Sequence, residues 1–200
     1  IIDSPAVFAD PATGVMAGLW RGGDHGDETQ ETSETNQCHD ITVFPSAGIE
    51  DIRLPYPINP ANADRVLKLL DLTRLSFIVD DFGVARSWSG LMRVNQREVD
   101  VLVKVDVGFH RCGIDPDARD AAEMVARVAE LPGLRFRGLL SHAGHGYGAG
   151  SDSEIAAIAA AEAHTLRRLA EEVERLGAPV QEISVGATPT ARFSLKEDGI

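Results

Sequence analysis

The segments VDVLVKVD at residues 99–106 and LRFRGLLSH at residues 134–142 decide the class of fold. Both are rich in Val, Leu and other apolar residues, as is typical of buried strands. Between them, residues 116–130 have the spacing of an amphipathic helix, which Pro132-Gly133 closes. A strand, a helix and a second strand in this order predict a right-handed βαβ unit with parallel strands.

The same alternation continues on both sides of this unit, so the chain is of the α/β class. The other elements that we expect are strands at residues 5–9, 41–44, 50–54, 76–80 and 180–186, and helices after Asn59-Pro60, at 81–95 and at 152–176, the last one capped by Gly177. The total is six or seven strands, depending on the first of these segments. An open doubly wound sheet and a (β/α)8 barrel both fit this pattern, and periodicity alone does not choose between them.

Composition limits the classes of function. The chain has 200 residues, of which 44% are hydrophobic and 25% charged, as expected for a globular domain with a sizeable core. The net charge of −12 argues against a nucleic-acid partner, because binding to phosphates needs clustered Lys and Arg. No apolar run approaches the length of about 18 residues that a membrane-spanning helix requires. Cys38 and Cys112 are too few for a disulfide framework, so we expect a cytoplasmic protein.

The amino-terminal part of the chain differs in composition from the rest. Residues 21–37 contain no apolar side chain, and their five acidic residues are opposed by a single arginine. Such a stretch cannot bury enough surface to offset its ordering entropy, so we predict a disordered acidic loop over residues 21–39. We assign residues 1–20 to a first strand region and residues 40–200 to the main α/β unit. Since the chain begins with Ile and not with Met, we expect a piece of a longer protein.

Chemistry-bearing residues follow three successive strands, which is where parallel folds place their sites. The first group is KVDVGFHRCG at residues 104–113. Lys104 and Asp106 alternate along one face of the strand, so we predict an inward-pointing ion pair between them. Arg111 follows a glycine-containing turn and offers a planar donor for an anionic oxygen. A purely structural ion pair inside a barrel is the alternative for the first two residues.

The second and third groups are SHAGHGYG at residues 141–148 and SVGATPTA at residues 184–191. A histidine at a strand end can stack on a ring or move protons, and we expect the glycines around it to break any helix. In the third group, several backbone N–H groups of small residues can cradle a phosphate. The candidate donors for that cradle are Gly186, Ala187, Thr188 and Thr190. A loop that contains histidines by chance and an ordinary small-residue turn are the alternatives.

Together, the segments KVDVGFHRCGIDP, GLLSHAGHGYGA and EISVGATPTA, supported by EDIRLPYPI, resemble the D-serine dehydratase/D-threonine aldolase-like family. Its members are pyridoxal 5'-phosphate (PLP) enzymes with the alanine racemase N-terminal type of (β/α)8 TIM barrel, fold type III. The resemblance covers residues 40–194 in the expected order and implies an incomplete barrel of this type. It also implies PLP as cofactor, a small D-amino acid as substrate and a homodimer as one state of assembly.

The resemblance assigns roles to individual residues. Arg111 is similar to the arginine that contacts the phenolic oxygen of the cofactor, and Lys104 to the strand lysine near that arginine. His142 resembles the histidine that packs against the pyridine ring, and Tyr147 resembles a tyrosine near the substrate. The phosphate-binding turn of the family corresponds to Gly186, Ala187 and Thr188, with Thr190 beside them.

This sequence departs from the family at the Schiff-base lysine, which in relatives follows the first strand. Residues 21–37 occupy that place, and the lysines of the chain are Lys68, Lys104 and Lys196. The resemblance places a C-terminal β domain with the zinc ligands after residue 200, so we expect that domain and its metal site to be absent here. We identify no catalytic residue in the chain.

The activity that the resemblance implies is that of a D-amino acid lyase. Relatives carry out either β-elimination from D-serine, which gives pyruvate and ammonia, or retro-aldol cleavage of D-threonine. Without the lysine segment we expect little activity from this chain alone. The alternatives are a non-catalytic PLP-binding protein and an inactive truncated gene product.

Overall fold

A computed structural model of the chain describes residues 51–197 and Gly199, which lie within a compact unit of residues 49–200. The expected strands at residues 5–9 and 41–44 and the acidic loop at residues 21–39 lie outside the described residues. The first described strand is therefore the one expected at residues 50–54.

Strands and helices alternate along the described chain, as expected. Their bounds are β1 (Asp51–Pro57), α1 (Ala63–Leu70), β2 (Arg74–Val79), α2 (Phe82–Val94), β3 (Val99–Lys104), α3 (Ala121–Ala129), β4 (Leu134–Leu140), α4 (Asp152–Arg175), β5 (Glu182–Ser184) and α5 (Ala191–Ser194). Short 3₁₀ helices at Pro60–Asn62 and Gly144–Gly148 complete the described elements.

The five strands form one parallel sheet in the order β1-β2-β3-β4-β5, so each strand is bonded to the next one in the sequence. A doubly wound sheet reverses its strand order at a switch point, whereas a (β/α)8 barrel keeps the sequence order all the way round. The observed order therefore selects the barrel, and the described part is a half-barrel of five strands.

An ion pair between the two outer strands shows that the sheet is curved. Arg53 of β1 donates to both carboxylate oxygens of Glu182 of β5, with Nη2 and Oε2 3.0 Å apart. Neighbouring strands lie about 4.8 Å apart, so a flat sheet would hold β1 and β5 about 19 Å apart, beyond the combined reach of these side chains. The contact thus requires the sheet to bend towards closure, as in a barrel.

The core lies around the central strand and the helices that cover the sheet. All six residues of β3 are buried, as expected for a parallel strand that is covered on both faces at the centre of a sheet. Trp88 of α2 is fully buried, its ring centroid lies 4.9 Å from that of Phe77, and its indole N–H donates to the carbonyl of Ile58 at 2.8 Å. Trp88 is thus a packing residue of the core.

Local turn chemistry accounts for the helix ends that differ from expectation. The helix expected from residue 116 begins at Ala121, because the Asp115 side chain accepts the N–H of Asp117 at 3.0 Å and holds a turn there. The chain after Asn59 first forms a 3₁₀ turn, capped by the Asn59 side chain, before α1 starts. Gly177 follows α4 with a φ of +89°, as expected for a glycine that ends a helix.

Candidate functional site

Asp106 organises the turn that follows β3. Its Oδ1 accepts the N–H groups of Gly108, Phe109 and His110 at 2.9, 3.1 and 3.0 Å, and its Oδ2 lies 3.0 Å from Nδ1 of His110. Burial by itself raises the pKa of the Asp106 carboxyl, but the hydrogen bonds from His110 and Gly108 outweigh it and hold the pKa below its ordinary value. The Asp106 carboxylate therefore stabilises the turn by accepting its backbone N–H groups.

The expected ion pair between Lys104 and Asp106 is wrong. The ion pair that Asp106 makes is with His110, and none joins it to Lys104. The physical reason is that three backbone N–H groups and an imidazole lie closer in the chain and compete for the same carboxylate. Lys104 is buried, with 3% of its surface exposed. Burial, followed by the positive charge of Arg111, lowers the pKa of its ammonium group, while the charges of nearby acidic groups oppose the change.

Arg111 is held between two aromatic rings. Its guanidinium carbon lies 5.1 Å from the ring centroid of Tyr56 at the end of β1, and 5.0 Å from that of Phe109 in the turn. Within the described part of the chain it forms no ion pair, so its planar N–H donors are available to an anionic group. Stacking of this kind orients the donor plane, which fits the expected role in binding an anionic oxygen.

His142 lies just after β4 and points towards the turn after β5. Its Nδ1 lies 2.8 Å from the carbonyl oxygen of Gly186, so the ring donates from Nδ1. Burial, together with the positive charges of Lys104 and Arg111, lowers the pKa of His142, against the effect of the Gly186 bond. At neutral pH the imidazole is therefore neutral, with its proton on Nδ1 and a lone pair on Nε2. Phe109 meets this ring edge-on at 5.9 Å between centroids.

The segment after His142 forms a short helix, contrary to expectation. Residues Gly144–Gly148 make a 3₁₀ turn, so the glycines do not prevent helical geometry there. Gly144 packs against Phe109, and a Cβ at this position would lie 2.7 Å from the ring. Tyr147 projects from the turn with 63% of its surface exposed. Nδ1 of His145 is buried and has no hydrogen-bond partner in the described part of the chain.

The turn after β5 uses some of its polar groups internally. The Thr190 side chain is fully buried, and its hydroxyl donates to the carbonyl of Ala187 at 3.1 Å and accepts the N–H of Ala187 at 3.3 Å. The N–H of Thr190 also bonds to that carbonyl, at 3.1 Å. Among the described residues no partner is found for the N–H groups of Gly186 and Thr188. Two of the four candidate phosphate donors therefore stay available, and Thr190 instead shapes the turn.

One residue that the sequence reasoning missed belongs to this region. Glu162 of α4 is 2% exposed, and its Oε1 accepts the hydroxyl hydrogen of Ser141, the residue before His142. Many glutamates lie on this helix, but Glu162 falls three residues after Ala159 and four before Leu166, which are both buried. That spacing places Glu162 on the buried face, and it was the signal that could have revealed a glutamate in the core.

Two classes of feature are not found in the described residues. Residues 51–197 hold no group of three or more His, Cys, Asp or Glu side chains that could bind a metal ion. None of the helices described there has the length and apolar character needed to cross a membrane. The candidate site described above is built from the three loops that follow β3, β4 and β5.

A family model described as alanine racemase, N-terminal domain, matches residues 40–197 of the chain. The chain belongs to this family. The match includes all five described strands and the three loops of the site. The alanine racemase type of barrel that was expected from the sequence is therefore confirmed, as is the resemblance to the dehydratases and aldolases that share it.

Individual members of the alanine racemase N-terminal domain family extend this result. A D-serine dehydratase from Dictyostelium discoideum is 29% identical to this chain, over 80% of this chain and 44% of that protein. A D-threonine aldolase from Arthrobacter sp is 30% identical, over 75% of this chain and 40% of that protein. The solved D-threo-3-hydroxyaspartate dehydratase from Delftia sp. HT23 aligns with a TM-score of 0.71 and 27% identity, over 78% of this chain and 41% of that one. The chain spans less than half the length of each of these relatives.

Proposed function

We propose that this chain forms the PLP-binding face of a lyase that acts on small D-amino acids, of the D-serine dehydratase or D-threonine aldolase type. The observation that carries the proposal is the bond from His142 to the carbonyl of Gly186. It joins the residue proposed to pack against the cofactor ring to the turn proposed to hold the cofactor phosphate. The relatives named D-serine dehydratase and D-threonine aldolase support the substrate class.

The polar groups of the site fit PLP. The available N–H groups of Gly186 and Thr188 suit a phosphate, and Arg111 carries donors that suit the phenolic oxygen. The neutral imidazole of His142 offers a flat, uncharged face to the pyridine ring. When bound, PLP supplies an electron sink for breaking a bond at the α-carbon of an amino acid.

We propose that the side chains around this site bind the cofactor and orient it. The rings of Tyr56 and Phe109 hold the plane of Arg111, and Gly186 holds the plane of His142. Both side chains that we propose as cofactor contacts are therefore oriented by the protein itself. The exposed hydroxyl of Tyr147 is proposed to contact the substrate. We propose that Lys104 is a buried positive charge that supports these site residues and does not bind the cofactor covalently.

Turnover by this chain alone is proposed to be low. In relatives, PLP is held by a lysine after the first strand, and the lysines here are Lys68 on α1, Lys104 on β3 and Lys196 near the end of the sequence. The zinc ion of intact relatives is proposed to take its ligands from outside this chain. We further propose a reducing, cytoplasmic setting and, as in the relatives, assembly as a homodimer.

The experiment is a titration of the chain with PLP and with pyridoxal, which lacks the phosphate. We expect reversible PLP binding, and weaker binding of pyridoxal by at least about tenfold, because the turn after β5 makes charge-assisted bonds to the phosphate. Arg111→Ala should weaken PLP binding by a similar factor. The matched control, Arg86→Ala, removes an exposed arginine from α2 and should leave the affinity unchanged.

Borohydride treatment followed by peptide mapping tests the proposal that turnover is low and that no lysine of the chain binds PLP covalently. We expect no stoichiometric lysine adduct with PLP and no appreciable release of pyruvate from D-serine. A specific adduct together with pyruvate release would refute low turnover. Equal affinity for PLP and pyridoxal would refute the phosphate-binding turn, and with it the role given to Gly186 and Thr188.

A further inference from the structure

Glu162 is a buried carboxyl with no role in the site as described so far. It lies on α4 with 2% of its surface exposed, and the neighbouring buried positions of that helix are apolar. A carboxyl group in such surroundings costs stability unless it makes specific bonds. The groups that bond to the Glu162 carboxyl therefore indicate its role in the protein.

Glu162 bonds to a chain neighbour of His142. Its Oε1 accepts the hydroxyl hydrogen of Ser141, the residue that comes directly before His142. On the opposite side, His142 is held by the carbonyl of Gly186, at 2.8 Å from Nδ1. The backbone of His142 is thus fixed from α4, and its ring is fixed from the turn after β5.

Two unpartnered polar atoms lie in the same buried region. They are Oε2 of Glu162 and Nδ1 of His145, the two buried side-chain atoms without a hydrogen-bond partner that occur among the described residues. Burial, the largest effect, raises the pKa of the Glu162 carboxyl, while the bond from Ser141 and the positive charge of Lys104 oppose that rise. The bond to Ser141 uses Oε1 alone, so a side chain that keeps one acceptor oxygen can replace the carboxylate.

We propose that Glu162 is a positioning residue, which fixes His142 for cofactor binding by bonding to Ser141, the residue directly before it. The inference rests on the proposed function for its link to PLP. Its structural content, that Glu162 sets the place of the His142 ring, stands independently of any ligand. Glu162 itself does not touch the proposed cofactor site, so it acts through Ser141.

The test compares Glu162→Gln with Glu162→Met. Glutamine keeps an acceptor oxygen for Ser141, whereas methionine keeps the length of the side chain without any acceptor for this bond. The control is Glu171→Met, which removes an exposed glutamate from the same helix. The first measurement is NMR of the His142 imidazole without PLP, where the Nδ1–H signal reports the bond to Gly186. The second measurement is the affinity for PLP.

We expect Glu162→Met to shift or broaden the His142 Nδ1–H signal and to weaken PLP binding by about tenfold, as for the loss of a buried hydrogen bond. Glu162→Gln and Glu171→Met should match the parent chain in both measurements. If Glu162→Met does not fold, Ser141→Ala removes the same bond from its other end and should cause a change of the same kind.

The outcomes separate this inference from the proposed function. A folded Glu162→Met protein with an unchanged His142 signal overturns the positioning role, whatever its affinity for PLP. A Glu162→Gln protein that behaves like Glu162→Met overturns it too, because the acceptor oxygen would then be irrelevant. A parent chain that does not bind PLP, but whose His142 signal responds to Glu162→Met as expected, refutes the proposed function and supports the positioning role.

Discussion

The imidazole of His142 donates a hydrogen bond from Nδ1 to the carbonyl oxygen of Gly186, at 2.8 Å. This bond joins the loop after β4 to the turn after β5, so it links two of the three segments of the candidate site. It also decides the tautomer of the ring, because a carbonyl can only accept. When the ring is neutral, its proton therefore lies on Nδ1, and Nε2 is the nitrogen that can accept a hydrogen bond.

We expect His142 to titrate below the ordinary histidine pKa of 6.5, chiefly because burial disfavours its charged form. The measurement is an NMR titration of the imidazole signals, with His142→Asn used to assign them. The same chain in urea provides the unfolded reference. An imidazole that titrates at or above 6.5 in the folded chain contradicts the expectation.

The lowered pKa of His142 also gives a pH dependence of stability. The unfolded chain binds this proton more readily than the folded one, so the contribution of His142 to stability is fully present above about pH 6.5. It is lost as the pH falls through the lowered pKa of the folded state. Urea unfolding at a series of pH values should show this loss in the parent chain and a smaller one in His142→Asn.

Removal of the Asp106 carboxylate should destabilise the turn after β3. We expect Asp106→Ala to lower the free energy of unfolding by about 2 kcal/mol at neutral pH, since it leaves several N–H groups without an acceptor. Asp106→Asn keeps one acceptor oxygen and should lose less than half as much. The control, Asp120→Ala, removes an exposed carboxylate that makes no capping bond.

The contribution of Asp106 should also depend on pH in a defined direction. Because the folded-state pKa of Asp106 is lowered, its contribution is present above the ordinary pKa of 3.8 and disappears as the pH falls through the folded value. The difference between the parent chain and Asp106→Ala should therefore shrink at acid pH. A constant difference would show that the carboxylate charge does not stabilise the turn.

Gly138 permits the close pairing of β4 and β5. Its φ is +154°, and a Cβ there would lie 1.8 Å from the carbonyl oxygen of Glu182. We expect Gly138→Ala to cost at least about 2 kcal/mol, because the two strands must separate. Gly90→Ala is the matched control: Gly90 is helical, and its Cβ would meet nothing within 4 Å. That variant should gain about 0.5–1 kcal/mol, and unfolding in urea measures both.

Gly144 provides space for the ring of Phe109 beside the site. A Cβ at Gly144 would lie 2.7 Å from that ring, so Gly144→Ala should displace Phe109 from Arg111 and His142. We expect PLP binding to weaken by about threefold to tenfold, measured by fluorescence titration. Gly148→Ala lies in the same 3₁₀ turn and meets nothing within 4 Å, so it should bind like the parent chain.

Patterns along the chain were sufficient for the alternation of strands and helices in the described residues and for the edge of the sheet at which the candidate site lies. The apolar run at residues 99–106 and the helical spacing at residues 152–176 predict structure through local backbone preferences and burial, which depend on near neighbours. The sequence pattern was not sufficient where several partners compete for one group. Asp106 was predicted to form an ion pair with Lys104, but its carboxylate accepts hydrogen bonds from nearby backbone N–H groups. The backbone N–H of Thr190 was predicted to bind a phosphate, but both this N–H and the hydroxyl of Thr190 bond to Ala187 within the turn.

By itself, the sequence determined the βαβ alternation, the three site segments and the likeness to the alanine racemase type of barrel. Those follow from periodicity and from motifs of consecutive residues. Periodicity left an open sheet and a barrel as alternatives, and the tertiary structure decided between them through the strand order and the Arg53–Glu182 contact. The bond from Ser141 to the buried Glu162 was likewise decided by the tertiary structure. Both depend on residues far apart in the chain, whose meeting is decided by how the whole sheet curves and packs.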